Sequence, residues 1–93
     1  MRSIEVQVQS EAGLHARPAA VFVRAASAYA STVRLENLTS QRLPVNAKSI
    51  TSVLSAGVER GHRVRIEAEG IDEDRALDAL GRLVAGLGER VSD

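Results

Sequence analysis

Four short segments of the chain alternate apolar and polar residues, and this pattern constrains the fold more than any other feature. The alternating segments contain Ile4–Val8, Val33–Leu35, Leu43–Val45 and Val64–Ala68. Successive side chains of a β-strand point to opposite faces of a sheet, so each segment would present one apolar and one polar face. Such strands suit an antiparallel sheet with one face covered and the other in water. Because Pro44 cannot donate to a ladder, the third strand is predicted to lie at an edge.

Helical spacing of apolar residues fills the gaps between these strands. Residues 16–28 are predicted to form an alanine-rich helix, and a short helix around Val53 ends at Gly57. A last helix follows Gly70 and opens with the acidic residues 72–74, which suit a positive helix end. Its predicted buried stripe consists of Leu77, Leu80, Val84 and Leu87, with Ala76 and Leu83 beside it. Within this helix, Gly81 and Gly86 either weaken it or permit close packing.

The element order is therefore predicted to be βαββαβα, within one domain that spans residues 1–93. The fold class is α+β: an open-faced β-sandwich in which a four-stranded antiparallel sheet carries three helices on one face.

Composition excludes several classes of function. Formal net charge is zero, Cys is absent and only Phe22 and Tyr29 are aromatic, so we expect binding to neither nucleic acid nor an anionic membrane. No segment resembles a signal peptide or a membrane span. His62 has no second His or Cys near it in the sequence, and we interpret it as a solvated loop residue. We expect a soluble, monomeric, cytoplasmic domain without a metal or cofactor.

A histidine stands at the start of the first predicted helix, in the stretch GLHARPAA. If the helix begins at Ala16, His15 is its N-cap, and the unpaired N–H groups and positive dipole of the first turn form an anion site. Pro18 fits a first turn, where the N–H it lacks would have no partner. Arg17 adds a charge suited to phosphate, and this positive setting would disfavour the protonated ring. These residues alone leave two interpretations open: a surface histidine and a phosphoryl acceptor.

Several motifs together resemble one known family. GLHARPAA is followed by VFVRAA, then by NAKSI, and then by an alternating strand that ends in EAEGIDED. This order is similar to that of HPr proteins, the histidine-containing phosphocarriers of the bacterial phosphoenolpyruvate:sugar phosphotransferase system, over nearly the whole chain. The resemblance implies the same open-faced β-sandwich that the alternation predicts independently. One departure is the loop of residues 37–44, which is longer than the family's usual hairpin and to which we assign no function.

The resemblance also implies roles for individual residues. His15 would accept a phosphoryl group on Nδ1 from phosphorylated enzyme I and pass it to a histidine of a sugar-specific enzyme IIA. Arg17 would stabilise the phosphoryl charge, while Ala16 and Pro18 would support the helix start. The chain would thus be a phosphoryl carrier and not itself an enzyme. Partners would dock on a surface beside the histidine that consists of Ala20, Val21, Arg24, Ile50 and Leu54.

Ser49, in the NAKSI block, has two interpretations. In many relatives from Gram-positive bacteria the matching serine is phosphorylated by HPr kinase/phosphorylase, and the helix dipole favours a phosphate at a helix start. Alternatively, Ser49 is a helix N-cap without a regulatory role. The regulated relatives have a bulky apolar residue where this chain has Thr51, and this departure weakens the regulatory interpretation.

Several functional hypotheses differ in what they require of the chain. The leading hypothesis is a carrier of the general sugar system. A paralogous carrier, which serves a nitrogen-related or dihydroxyacetone-kinase phosphotransferase branch, would have the same features. A regulatory binding module without phosphotransfer would not need His15, and a structural anion-binding domain would not need His, Arg and Pro in this order.

Overall fold

The computed structural model describes residues 1–86, which form one four-stranded sheet and three helices. The strands are β1 (Arg2–Gln7), β2 (Thr32–Asn37), β3 (Val45–Asn46) and β4 (Arg63–Glu69). The helices are α1 (Ala16–Ser27), α2 (Ile50–Ser55) and α3 (Glu73–Gly86). The order βαββαβα confirms the predicted open-faced β-sandwich.

Strand β4 lies at the centre of the sheet, whose order is β1-β4-β2-β3 with every neighbouring pair antiparallel. Ile66 of β4 is opposite Ile4 on one side and Leu35 on the other, so apolar side chains form a row across the covered face. On the open face Arg65 donates to Glu5 and to Glu36 at 3.1 Å each. The predicted division into an apolar and a charged face is therefore confirmed.

The helices cover the apolar face, and their small residues set how closely they approach it. Phe22 of α1 and Leu80 of α3 are fully buried in the core. A Cβ on Gly81 would lie 2.7 Å from Cδ1 of Ile4, so this glycine lets α3 pack closely against β1, as the sequence suggested. A Cβ on Gly86 would meet nothing within 4 Å, so close packing does not explain that glycine. Leu87, the last residue of the predicted stripe, lies outside the described residues.

The third strand is shorter than predicted. Only Val45 and Asn46 pair with β2, whereas Leu43 lies outside the strand and is 85% exposed. Pro44, which cannot donate to a ladder, stands just before the paired residues. The prediction of an edge strand is confirmed, but the placement of Leu43 in it is wrong.

His62 is not the solvated loop residue that the sequence suggested. It is half-buried, and its Nδ1 atom accepts the backbone N–H of Glu59 at 3.1 Å and lies 3.2 Å from Nδ2 of Asn37. Asn37 is fully buried, and its Nδ2 also donates to the carbonyl of Ala56 at 3.1 Å. The prediction failed because Asn37 becomes a neighbour of His62 only when the end of β2 meets the turn before β4.

The start of α3 is tied to the connection between α1 and β2 through Asp72. Its carboxylate accepts the N–H of Ala30 at 2.8 Å, the N–H of Ser31 at 2.9 Å and the hydroxyl of Ser31. These hydrogen bonds, above all the one from the Ser31 hydroxyl, hold the pKa of Asp72 below its ordinary value. A charged Asp72 is therefore favoured by the folded state.

Stability in acid should depend on this carboxylate. Because the pKa of Asp72 is lower in the folded chain than in the unfolded one, its contribution to stability is present above about pH 4 and is lost as the pH falls through the lowered value. Asp72→Asn should lower the melting temperature at neutral pH and should weaken the further loss on acidification. Circular dichroism during heating at about pH 7 and about pH 3 measures both effects. Asp78→Asn, at an exposed acid of α3, should keep the acid dependence of the unmodified protein. An unchanged acid dependence in Asp72→Asn would contradict the role of its carboxylate.

Candidate functional site

The start of α1 has the geometry that the sequence predicted. The helix begins at Ala16, and His15 is its N-cap residue with extended backbone angles, φ −120° and ψ 162°. The imidazole makes no capping hydrogen bond to the helix. The ring is thus not used to close the first turn, and Pro18 lies within that turn without leaving an N–H to be satisfied.

The backbone beside His15 is strained. Ala16 has φ 51°, a left-handed conformation that an L-residue other than glycine adopts at a cost of about 1–2 kcal/mol. Residues held in such conformations cluster at functional sites, where surrounding structure enforces them. No residue pattern indicated this strain, because alanine is an ordinary helix former.

An acidic residue that the sequence analysis missed lies against the imidazole. Nε2 of His15 and Oε2 of Glu59 are 3.2 Å apart, although 44 residues separate the two in sequence. The His15 side chain is 37% exposed and that of Glu59 is 63% exposed, so the pair lies at the surface. The ring is therefore not in the purely positive setting that the sequence analysis assumed. No local pattern around Glu59 could have revealed the pair, because it depends on how two loops meet.

The two loops meet because β1 and β4 are antiparallel. Gln7 at the end of β1 pairs with Arg63 at the start of β4, so the chain after β1 and the turn before β4 lie at the same end of the sheet. The N–H of Leu14 donates to the carbonyl of Val58 at 3.0 Å. This bond joins the His15 segment to the turn that carries Glu59.

Gly13 makes this close approach possible. Its φ is +62°, and a Cβ at this position would lie 2.2 Å from the carbonyl oxygen of Val58 and 2.8 Å from Cα of Glu59. Any larger residue would push the two backbones apart, in addition to the strain of its left-handed conformation. Gly13 is thus a structural requirement for the contact between His15 and Glu59.

The other predicted site residues are mostly at the surface. Arg17 is exposed, and its side chain makes no hydrogen bond or ion pair within residues 1–86. In the predicted docking surface, Val21 is half-buried, while Ile50 and Leu54 are 41% and 40% exposed despite their size. The remaining members of that surface, Ala20 and Arg24, are also exposed.

Ser49 has the geometry of a helix N-cap. Its backbone is extended, with φ −115° and ψ 118°, and its Oγ accepts the N–H of Ser52 at 3.3 Å. Thr51 follows in the first turn of α2 and is exposed.

Residues 1–86 contain neither a candidate metal cluster nor a helix that could span a membrane. No three His, Cys, Asp or Glu side chains in this range are grouped so that they could hold a metal ion. None of the helices formed by these residues is long and apolar enough to cross a membrane.

A small open-faced β-sandwich with a partly exposed histidine at a helix start is the arrangement expected of a phosphoryl-carrying domain. Comparison with protein-family models agrees: the model described as PTS HPr component phosphorylation site matches residues 2–86. The chain belongs to the HPr family, the phosphocarriers of the phosphotransferase system, as the resemblance in sequence predicted.

Individual relatives support this membership. The multiphosphoryl transfer protein of Haemophilus influenzae is 43% identical over 86 residues, which are 91% of this chain and 17% of that protein. The corresponding protein of Escherichia coli O157:H7 is 41% identical over 94% of this chain and 23% of its own length. The chain thus spans less than a quarter of the curated relatives that it matches.

Solved structures match along nearly their whole length. HPr-C-His from Thermoanaerobacter tengcongensis is 41% identical with a TM-score of 0.86, and the match covers 92% of this chain and 93% of that one. The phosphocarrier protein HPr from Bacillus anthracis is 37% identical with a TM-score of 0.83, over 89% and 95% of the two chains. An HPr dimer from Thermoanaerobacter tengcongensis is 42% identical with a TM-score of 0.69, over 90% and 93%, so related chains form dimers in some crystals.

Alanine at Gly13 should disrupt the site far more than alanine at a glycine with free space. Gly13 and Gly61 both have positive φ, +62° and +87°, so Gly→Ala at either adds backbone strain of about 1–2 kcal/mol. A Cβ at Gly61 would meet nothing within 4 Å, whereas one at Gly13 would collide with backbone. We expect Gly13→Ala to lower the free energy of unfolding by more than about 3 kcal/mol and Gly61→Ala by about 1 kcal/mol, measured by urea unfolding. Equal losses of unfolding free energy in the two variants would contradict the role of the close approach between Gly13 and Val58.

Proposed function

We propose that this chain carries phosphoryl groups between phosphorylated enzyme I and sugar-specific enzyme IIA domains, with His15 as the phosphorylated residue. The observation that supports this most directly is the partly exposed imidazole at the start of α1, which takes no part in capping the helix. The proposal includes one domain of residues 1–93 that acts as a monomer in the cytoplasm. It includes no cofactor, because the phosphoryl group comes from a partner.

The chemistry follows from the groups around the imidazole. A ring nitrogen attacks the phosphorus of the donor, and the phosphoryl oxygens come to lie near the first turn of α1. Unpaired N–H groups there, together with the positive end of the helix dipole, favour the added negative charge. The guanidinium of Arg17, two residues on, is suited to bind two of the oxygens at once. Because a P–N bond to one histidine is broken while a P–N bond to another is formed, transfer needs no large change in bond energy and remains reversible.

Phosphorylation by a cognate enzyme I tests this proposal. With enzyme I, magnesium and phosphoenolpyruvate, the protein should gain the mass of one phosphoryl group, and the label should be lost in acid. His15→Ala should abolish the label and keep the fold. Arg17→Ala should slow the labelling about 10²-fold, as loss of one preorganised donor does elsewhere. The matched control is Arg34→Ala, at an exposed arginine of β2, which should label at the normal rate. A chain that gains no label from its cognate enzyme I would rule out the carrier function.

We further propose that partners dock on the surface formed by α1 and α2, where Ile50 and Leu54 expose about two-fifths of their side chains. Exposed apolar side chains that lie close together on a soluble domain commonly mark an interaction site. A small, partly polar surface suits a carrier that must leave each partner quickly.

Leu54→Ala should weaken this docking without a change in the chemistry at His15. We expect KM for the carrier in the enzyme I reaction to rise about threefold to tenfold while kcat stays constant, since truncation of an interface leucine costs about 1 kcal/mol. Leu43→Ala is the matched control, because Leu43 is even more exposed but lies in the loop between β2 and β3. If both leucines could be truncated without effect on KM, docking on α2 would be contradicted.

Regulatory phosphorylation of Ser49 by an HPr kinase/phosphorylase is a secondary proposal. A phosphoryl group on Oγ would lie at the start of α2, where the hydroxyl oxygen accepts the N–H of Ser52. An acid-stable label from ATP and the kinase of the same organism would support it. The alternative for His15 is that the chain serves a paralogous branch of the phosphotransferase system. The branch that the chain serves is the one whose enzyme I phosphorylates it fastest.

A further inference from the structure

We propose that Glu59 is a positioning residue for phosphoryl transfer, because its carboxylate holds His15 in the tautomer that carries its proton on Nε2. In that tautomer the lone pair of Nδ1 is free to attack. The inference deepens the proposed function and rests on it, since it concerns the nucleophile of the same reaction.

The assignment of the tautomer follows from what a carboxylate can do. An ionised carboxylate only accepts hydrogen bonds, so the 3.2 Å contact between Nε2 of His15 and Oε2 of Glu59 requires a proton on Nε2. In a neutral ring the other nitrogen then has no proton. Nδ1 of His15 makes no hydrogen bond within residues 1–86, so its lone pair is available to a donor.

Glu59 is held in place by its own backbone and by the turn around it. Its N–H donates to Nδ1 of His62 at 3.1 Å, and its carbonyl accepts the N–H of His62 at 3.0 Å. The turn is also bonded to Val8, the residue directly after β1, whose N–H donates to the carbonyl of His62 and whose carbonyl accepts the N–H of Gly61, both at 2.9 Å. Glu59 is thus presented to His15 on a segment with fixed backbone geometry.

The carboxylate of Glu59 has no competing cation within residues 1–86. The adjacent Arg60 lies 3.9 Å from Glu11 instead, and every other ion pair of this range lies elsewhere. His15 is therefore the one charged or polar partner that the described residues offer to this carboxylate.

The electron and proton balance shows where the carboxylate acts. The lone pair of Nδ1 forms a bond to phosphorus while the bond between phosphorus and the donor nitrogen breaks, and that electron pair stays with the donor. No proton leaves His15, because Nε2 keeps its own. The ring consequently gains positive charge as the new bond forms, and this charge develops 3.2 Å from Oε2 of Glu59.

The same contact also bears on the onward transfer of the phosphoryl group. A phosphorylated imidazole is a better leaving group when Nε2 stays protonated, and the carboxylate favours that form. An aspartate beside the histidine of serine proteases acts in this way, since it fixes the tautomer and stabilises the imidazolium. Here the acid lies at the surface, so its effect is smaller: about twofold to fivefold, as for an exposed ion pair.

The tautomer can be observed without any partner protein. Long-range ¹H–¹⁵N correlation spectra of the full chain, recorded well above neutral pH, report which nitrogen of each histidine carries the proton. We expect the unmodified protein to show His15 protonated on Nε2. In Glu59→Ala the Nδ1-protonated form should become at least about twofold more populated. Glu59→Gln, whose amide oxygen still accepts a hydrogen bond, should fall between the two.

Nucleophilicity is then measured with phosphoramidate, a small phosphoryl donor that releases ammonia when its bond between phosphorus and nitrogen breaks. The rate of phosphorylation at His15 should fall about twofold to fivefold in Glu59→Ala and by a smaller factor in Glu59→Gln. Glu11→Ala is the matched control: it removes the same charge from the neighbouring loop, where Glu11 is 89% exposed, and should change neither readout.

Two results would overturn the proposal. One is an unchanged tautomer in Glu59→Ala relative to Glu11→Ala. The other is a changed tautomer with an unchanged rate, which would leave Glu59 as a conformational contact only. Neither readout uses enzyme I, so the proposal on Glu59 is tested independently of the proposed carrier function. If the carrier function fails, phosphoramidate will still phosphorylate the protein but enzyme I will not.

Discussion

The contact between Gly13 and the backbone of residues 58 and 59 is the constraint on which the site depends. The N–H of Leu14 bonds to the carbonyl of Val58, and the missing side chain of Gly13 lets the two segments lie within hydrogen-bond distance. His15 and Glu59 follow directly on these residues, so their 3.2 Å contact is a consequence of that backbone approach. A single glycine thus connects the packing of two loops to the orientation of the imidazole.

The sheet topology brings these two loops together. Because β1 and β4 are antiparallel neighbours, the last residue of β1 and the first residue of β4 lie at the same end of the sheet, and so do the adjoining loops. Val64, Ile66 and Ala68 of the central strand β4 are buried in the core under the helices, which gives the loops a rigid support. A rigid support matters for a carrier, since the histidine must be presented in the same way to each partner.

Much of this arrangement could be predicted from sequence because it depends on local pattern. Alternation predicted the strands and their two faces, and the spacing of apolar residues predicted the helices. The position of His15 at the helix start followed from GLHARPAA. The end of α2 followed from Gly57, whose φ of 62° is the left-handed conformation typical after a helix. The motifs around His15 and Ser49 then sufficed to identify the family.

What could not be predicted depends on residues that are distant in sequence. The Glu59 carboxylate, the burial of Asn37 and the hydrogen bonds of His62 arise where β2, the 57–62 turn and the His15 segment converge, and no local pattern encodes that convergence. Leu43 was misplaced for a related reason: alternation predicts a strand, but a strand also needs a neighbour with which to pair, and β3 pairs only at Val45 and Asn46.

The most direct test of the account is to find which nitrogen atom carries the phosphoryl group. The protein would be phosphorylated with phosphoramidate and examined by ³¹P and ¹⁵N NMR. In this structure Nε2 of His15 contacts the Glu59 carboxylate, and Nδ1 of His62 accepts the backbone N–H of Glu59. One phosphoryl group should therefore appear on Nδ1 of His15. Phosphorylation on Nε2 of His15, or preferentially on His62, would contradict it.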